Sequence, residues 1–291
     1  MLDVMKAIFR ATIICAAMIS LASVTARAEL LYGTNGLSIF RFDSSTPSAF
    51  TTSAFTGLQG GETIVGFDIR PANGMLYGIG SSNRLYIINP MTGAATQVGA
   101  SGTFSLNGTA FGTDFNPVPD RIRQVSNTEQ NLRINPNDAT LTNDSALNPA
   151  GNIVAVAYSN NFAGATSTTL YAIDSASGTL GIISNPNAGG PITTVGSLGL
   201  GTNLNEAIGF DISGLSGIGF ASITVGGQSR LYSINLSTGA ATNLGAIGTG
   251  TVSMLGLTAA TAVPEPSTYM LLALAAGFLA FRRFRTRAAK S

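Results

Sequence analysis

The sequence of 291 residues contains no histidine. That excludes His-based acid–base catalysis, Ser-His-Asp and Cys-His sites, and His-ligated zinc or iron. Its one cysteine, Cys15, lies in an N-terminal apolar run and leaves with it if that run is cleaved. The remaining chain then forms no disulfide, and a domain of this size must stabilise itself by apolar burial. Charged residues make up only 10% of the chain, and between Glu29 and Val263 there is no lysine. Seven arginines against twelve acids leave that region at −5. A basic face for nucleic acid is thereby excluded, since phosphate recognition needs clustered Lys and Arg.

What the sequence does contain is Gly, Ser, Thr, Asn and Ala, with Val, Ile, Leu, Phe and Tyr in short clusters between turn residues. This pattern indicates β-structure. The two ends differ from the middle. Lys6 and Arg10 precede an apolar stretch from Ala11 to Val24, followed by Ala26-Arg27-Ala28. The order of basic, apolar and small-x-small is that of a secretory signal peptide spanning residues 1–28, with cleavage expected after Ala28. The alternative is a retained anchor, for which the run is short.

Near the C-terminus, Val263-Pro264-Glu265-Pro266-Ser267 leads into an apolar segment, Thr268 to Phe281, and then Arg282, Arg283, Arg285, Arg287 and Lys290. The basic cluster would hold the end in the cytoplasm and the domain outside. Fourteen helical residues rise ~21 Å against a hydrocarbon core of ~30 Å, so this transmembrane segment is a marginal anchor. The arrangement resembles the PEP-CTERM sorting signal of Gram-negative bacteria, with Pro264, Glu265 and Pro266 as its motif. The resemblance implies an exosortase-type membrane protease as partner, an inner-membrane anchor before processing, and a cell-surface or matrix destination afterwards. An ordinary single-span tail anchor is the competing reading, and it too places the domain outside the cytoplasm.

Between the ends the sequence repeats. Arg84-Leu85-Tyr86-Ile87-Ile88-Asn89 with Thr92-Gly93-Ala94-Ala95-Thr96 returns as Arg230-Leu231-Tyr232-Ser233-Ile234-Asn235 with Thr238-Gly239-Ala240-Ala241-Thr242. Weaker copies lie at Leu170–Asp174, Asn131–Pro136 and Leu37–Asp43. Each reads as a strand, an Asx-initiated turn with glycine, and a second strand. Upstream strands recur at Gly66-Phe67-Asp68-Ile69, Gly112-Thr113-Asp114-Phe115, Ala155-Val156-Ala157-Tyr158, Gly209-Phe210-Asp211-Ile212 and Leu255-Gly256-Leu257-Thr258, with starts 46, 43, 54 and 46 residues apart. A period in the forties with four strands per unit predicts an all-β propeller over residues 29–260. The Leu255 strand lacks a hairpin, and the strands Leu30–Tyr32 and Leu37–Phe42 lack an inner strand, so together they should close one blade. Five blades are expected, or six if residues 185–208 supply further strands. A β-sandwich, the competing fold, would not need such a period.

The densest polar stretch runs Gly112-Thr113-Asp114-Phe115-Asn116-Pro117-Val118-Pro119-Asp120-Arg121-Ile122-Arg123, with Asn131-Leu132-Arg133-Ile134-Asn135-Pro136 beyond it. With Gly66-Phe67-Asp68-Ile69-Arg70-Pro71 and Ala157-Tyr158-Ser159-Asn160-Asn161, it resembles an uncharacterised bacterial domain family, propeller-like and often exported. The resemblance implies a fold and no activity. From the residues themselves, Asp120, Arg121, Arg123, Asn131 and Arg133 suggest an Arg-Asp ladder holding one blade. Asp68, Arg70, Asp114, Asn116 and Asn160 could instead converge on an axial pocket for sugar hydroxyls; no cofactor is expected, and calcium is the alternative to that, with no EF-hand or repeated Asp-rich loop in the sequence to support it.

Three function classes follow. The first is a non-catalytic envelope or matrix protein binding exopolysaccharide or a surface partner. The second is a propeller hydrolase using carboxylates such as Asp68 and Asp114, if these lie ~5–9 Å apart around a cleft. The third is a purely structural surface protein.

Overall fold

The computed structural model describes residues 28–149 and 151–260. The signal-peptide residues 1–27 and the sorting tail from 261 onward lie outside the described residues, so those expectations stand on sequence alone. Twenty strands form five four-stranded antiparallel sheets, each one blade of a propeller. Blade 1 combines β1 (Leu30–Thr34), β2 (Ser38–Asp43) and β3 (Phe50–Ala54) with β20 (Gly256–Ala259), which pairs with β1. Blade 2 is β4 (Ile64–Ile69), β5 (Leu76–Gly80), β6 (Arg84–Ile88) and β7 (Ala95–Val98). Blade 3 is β8 (Phe111–Asn116), β9 (Arg121–Ser126), β10 (Asn131–Ile134) and β11 (Leu141–Asn143). Blade 4 is β12 (Ile153–Tyr158), β13 (Leu170–Asp174), β14 (Thr179–Ile183) and β15 (Ile192–Ser197). Blade 5 is β16 (Gly209–Ile212), β17 (Gly219–Val225), β18 (Gln228–Ile234) and β19 (Ala241–Ala246).

The ring closes as the sequence repeats require, with the two ends of the domain sharing blade 1 and the Ala260 N–H donating to the Leu30 carbonyl. Residues 192–197 provide the outer strand of blade 4 and no sixth blade. One repeat copy shifts. In blades 2 and 5 the repeated hairpin joins the third and fourth strands, whereas Leu170–Asp174 is the second strand of blade 4. The shared signal is the turn, which any hairpin of the blade can use. Asn89, Asp174 and Asn235 each accept side-chain hydrogen bonds from the second and third residues onward. Gly93, Gly178 and Gly239 then take the left-handed conformation that L-residues avoid.

The apolar residues form five clusters, one at each blade interface. Ile64, Phe67 and Tyr86 pack with Tyr32 and Ile39 between blades 1 and 2. Phe115 and Ile122 pack with Tyr77 and Ile79 between blades 2 and 3. Alternation along each strand sends apolar groups to both faces of a blade, because both faces meet a neighbour. Burial of this kind, at roughly 25 cal/mol per Å² of apolar surface, is what holds the blades in a ring.

At the axis the inner strands approach backbone to backbone. Gly66, Gly112, Gly209 and Gly256 occupy equivalent places, with Ala155 in the fourth blade. A Cβ on Gly112 would sit 2.8 Å from the Ala155 Cα and the Val156 N, so glycine is required for that contact. The throat they enclose holds about 10 Å³, at the limit for one water.

Candidate functional site

Two residues beyond the glycine collar, the five inner strands place Asp68, Asp114, Ala157, Asp211 and Thr258 around the axis. Each aspartate reaches the next blade. Asp68 Oδ2 accepts the Phe115 N–H at 2.8 Å, Asp114 Oδ2 the Tyr158 N–H at 2.7 Å, and Asp211 Oδ2 the Ala259 N–H at 2.7 Å. The Thr258 hydroxyl lies 2.6 Å from Asp68 Oδ1 and 3.2 Å from Asp211 Oδ2. Asp68 and Asp211 also turn their Oδ1 atoms back onto the N–H groups of Ile69 and Ile212. Blade 4 breaks the pattern, because Ala157 has no oxygen to offer.

The three aspartates are at most 1% exposed, and one carboxylate oxygen of each lies within 4.8 Å of those of the others. Among the described residues the ion pairs are Arg70–Asp120, Arg123–Asp144 and Arg133–Asp144, none of which involves this trio. Burial, then the charge of Asp211, pushes Asp68 up to about 8. Burial, then the charges of Asp68 and Asp211, raises Asp114 well above the usual carboxylate range. Burial likewise raises Asp211, to about 6, against hydrogen bonds that stabilise its charged form. All three shifts share one cause, burial of the carboxylate away from water, and for Asp68 and Asp114 the neighbouring negative charge adds to it. This buried trio, not an open cleft with carboxylates ~5–9 Å apart, is where Asp68 and Asp114 meet.

The other residues expected at the axis are engaged elsewhere. Arg70 forms a fork on Asp120 and donates to Asn137 Oδ1 at 2.9 Å and to the Tyr77 hydroxyl at 3.2 Å, tying blade 2 to blade 3. Asn116 Oδ1 accepts the Val118 N–H, and Asn160 donates to the Ser167 carbonyl, so both serve their own turns.

The ladder expected within one blade spans two. Strand pairing sets Arg123 opposite Asp114 and Arg133. Arg123 is 1% exposed and donates to Asp144 Oδ2 (2.5 Å), Asn131 Oδ1 (2.8 Å), Asn187 Oδ1 (2.8 Å) and the Tyr158 hydroxyl (3.2 Å). Arg133 adds a bidentate pair with Asp144 at 2.7 and 2.8 Å. Asn131 donates onward to the carbonyls of Ser145 and Pro186. The cluster therefore pins loops of blades 3 and 4 together. Arg121 joins none of it, donating only to the carbonyls of Pro119 and Asp120.

Sequence reasoning set Asp211 and Thr258 inside the repeat but not in the site, although both occupy the repeat position of Asp68 and Asp114. The partners Asp144 and Asn187 come from loops with no motif to mark them.

Two larger openings exist. A vestibule of about 260 Å³ lies where the inner strands begin, lined by Val65, Thr109, Phe111, Glu206 and Leu255 among others. A groove of about 200 Å³ runs along blade 4, where Asp174, Ser177, Thr179 and Thr194 contribute polar groups.

No curated protein matches the chain. Among solved structures it is similar to a structural genomics protein of unknown function from Bacteroides thetaiotaomicron, at 14% identity and a TM-score of 0.45 over 75% of this chain. It is also similar to a provisionally named 6-phosphogluconolactonase from Bacteroides uniformis, at 14% identity and a TM-score of 0.39, with 75% of this chain and 82% of the other covered. The chain spans 58% of the length of the first of these. Residues 262–285 match the PEP-CTERM protein-sorting motif, which implies export and processing by an exosortase. Residues 38–258 match one further model across all five blades, and the chain belongs to that family, the Domain of unknown function (DUF4394).

Proposed function

We propose that the propeller is a non-catalytic module of the cell surface or extracellular matrix that binds exopolysaccharide in the groove along blade 4. The observation that carries this reading is the separation of acids from openings. The clustered carboxylates are sealed behind the glycine collar, while the groove of about 200 Å³ offers hydroxyls and one carboxylate suited to sugar hydroxyls. A sealed carboxylate trio has no route to a glycosidic bond, so it supports binding over turnover.

Co-sedimentation and calorimetry with the host's own exopolysaccharide test the proposal. Saturable binding is expected, reduced about tenfold or more by Thr194→Trp, which fills the groove from an exposed strand position. No saturable binding, or binding indifferent to that substitution, would sink the groove reading. A second reading, a purely structural surface protein, is favoured by the nearly filled axis and would be left ahead by that result.

A further inference from the structure

The axial trio presents two separate deficits. Three acidic side chains are buried together with no Arg or Lys paired to them among the described residues. Two buried acceptor oxygens, one in the trio and one on a side chain hydrogen-bonded to it, have no hydrogen-bond donor. One is Asp114 Oδ1, and the other is Oδ1 of Asn161, a residue outside the trio. Asn161 is 6% exposed, and its amide nitrogen donates to Asp211 Oδ1 at 3.4 Å, which brings the amide head beside that carboxylate. Buried acceptors without donors are rare, and an ion is one of the few explanations for them.

Protons answer only part of this. A proton on Asp114 or Asp68 lowers the charge and gives one carboxyl a donor, but leaves the Asn161 oxygen unpartnered. A divalent cation answers both at once, because its charge offsets two of the three carboxylates and it accepts a lone pair from each unpartnered oxygen. We propose that Asp68, Asp114 and Asp211, with the side-chain oxygen of Asn161, hold a divalent cation at the propeller axis, and that its chemistry is that of calcium.

The donors favour calcium over other metals. All are hard oxygens, with no imidazole, thiolate or thioether among them, which disfavours zinc, copper and iron. Magnesium retains several waters in octahedral array, and the adjoining throat of about 10 Å³ has little room for them. Calcium accepts irregular oxygen sets at 2.3–2.6 Å, and ligands on opposite sides of such an ion would stand ~4.6–5.2 Å apart. The trio's oxygens lie within 4.8 Å of one another, so none is too far apart to share such an ion. Its ligands come from blades 2, 3 and 5 and from the residues following the inner strand of blade 4.

The site is independent of glycan binding, and its test does not involve the groove. The full chain, purified in detergent, is stripped with EGTA and titrated with calcium chloride by calorimetry at pH 7.5, with terbium luminescence as a second readout. One saturable site is expected, with a rise in Tm on adding calcium. Asp114→Asn preserves shape and removes a charged ligand, so it should weaken binding roughly tenfold or more, whereas Asp120→Asn, at the Arg70 pair, should not. Asn161→Ala should weaken binding as well, and serves if Asp114→Asn fails to fold. A folded wild-type chain with no heat, no terbium signal and no Tm change up to about 10 mM calcium would overturn the proposal, since extracellular modules bind at ~10⁻⁴–10⁻³ M. Undiminished binding in both Asp114→Asn and Asn161→Ala would overturn it equally.

Discussion

Asp114 and Arg123 face each other across β8 and β9, yet they belong to opposite kinds of polar cluster. Around Arg123 both guanidinium charges meet a carboxylate. Two arginines share Asp144, and the remaining guanidinium donors meet amide oxygens and a tyrosine hydroxyl. Around Asp114 three carboxylates meet backbone N–H groups, a hydroxyl and the Asn161 amide, and among the described residues no countercharge. The difference teaches where to look for chemistry in this molecule: a saturated network is scaffold, and an unbalanced one still has something to bind, whether proton or metal.

The most severe way to break the comparison is to unbalance the saturated cluster. Arg123→Met should destabilise the fold by about 3–5 kcal/mol, because it leaves Asp144 with only the partly exposed Arg133 and strands the oxygens of Asn131 and Asn187. Urea unfolding followed by circular dichroism measures this. A loss under ~1 kcal/mol would mean that the network is not what joins blades 3 and 4.

The unbalanced cluster should respond to pH in a predictable direction. Unfolded carboxyls ionise near 4, whereas Asp68 is pushed up to about 8, Asp211 to about 6 and Asp114 well above its usual value. Between those limits the folded chain holds more protons than the unfolded one. In EGTA, stability from this trio is therefore full below about pH 4 and is lost as pH rises to 8, by up to ~1.4 kcal/mol per pH unit for each carboxyl kept protonated. Asp114→Asn should flatten the decline in Tm between pH 5 and 8. A decline as steep in the variant as in the parent would place its origin elsewhere.

The smallest effect sharpens the contrast from the other side. Arg121→Ala, one alternation step from Arg123, should change stability by no more than about 0.5 kcal/mol, since Arg121 contacts only the carbonyls of its own turn. A larger loss in the same urea experiment would reveal a role for that side chain that its contacts do not indicate.

Much of the architecture could be read from repetition. The inner strands announced themselves at Gly66, Gly112, Ala155, Gly209 and Leu255, and the orphan strands at either end foretold their union in blade 1. The hairpin at Leu170 misled on position because Asx-plus-glycine turns report local geometry and not a strand's rank in its blade. The site was harder to read. Charge density drew attention to residues 112–136, while Asp211 and Thr258 share the axis only by their place in the repeat. Arg121 and Arg123 have the same parity on β9, but β10 ends at Ile134, opposite Ile122, so only Arg123 has a third-strand neighbour. No sequence interval marks Asp144 or Asn187 as partners of Arg123, because both arrive through loops closed by tertiary packing.

The position of β20 also sets an order of events in time. The strand ends at Ala259, five positions before Pro264 of the sorting motif, and it contributes both Thr258 and the N–H that donates to Asp211. A chain leaving the cytoplasm N-terminus first would deliver the other nineteen strands while blade 1 still lacks its innermost strand. In such a chain, closure of the ring, and with it assembly of the axial cluster, would wait until the residues just ahead of the motif have crossed. Maturation of the fold and arrival of the sorting signal at the membrane would then fall at nearly the same moment, and a cut beyond Pro266 would leave the closing strand in place.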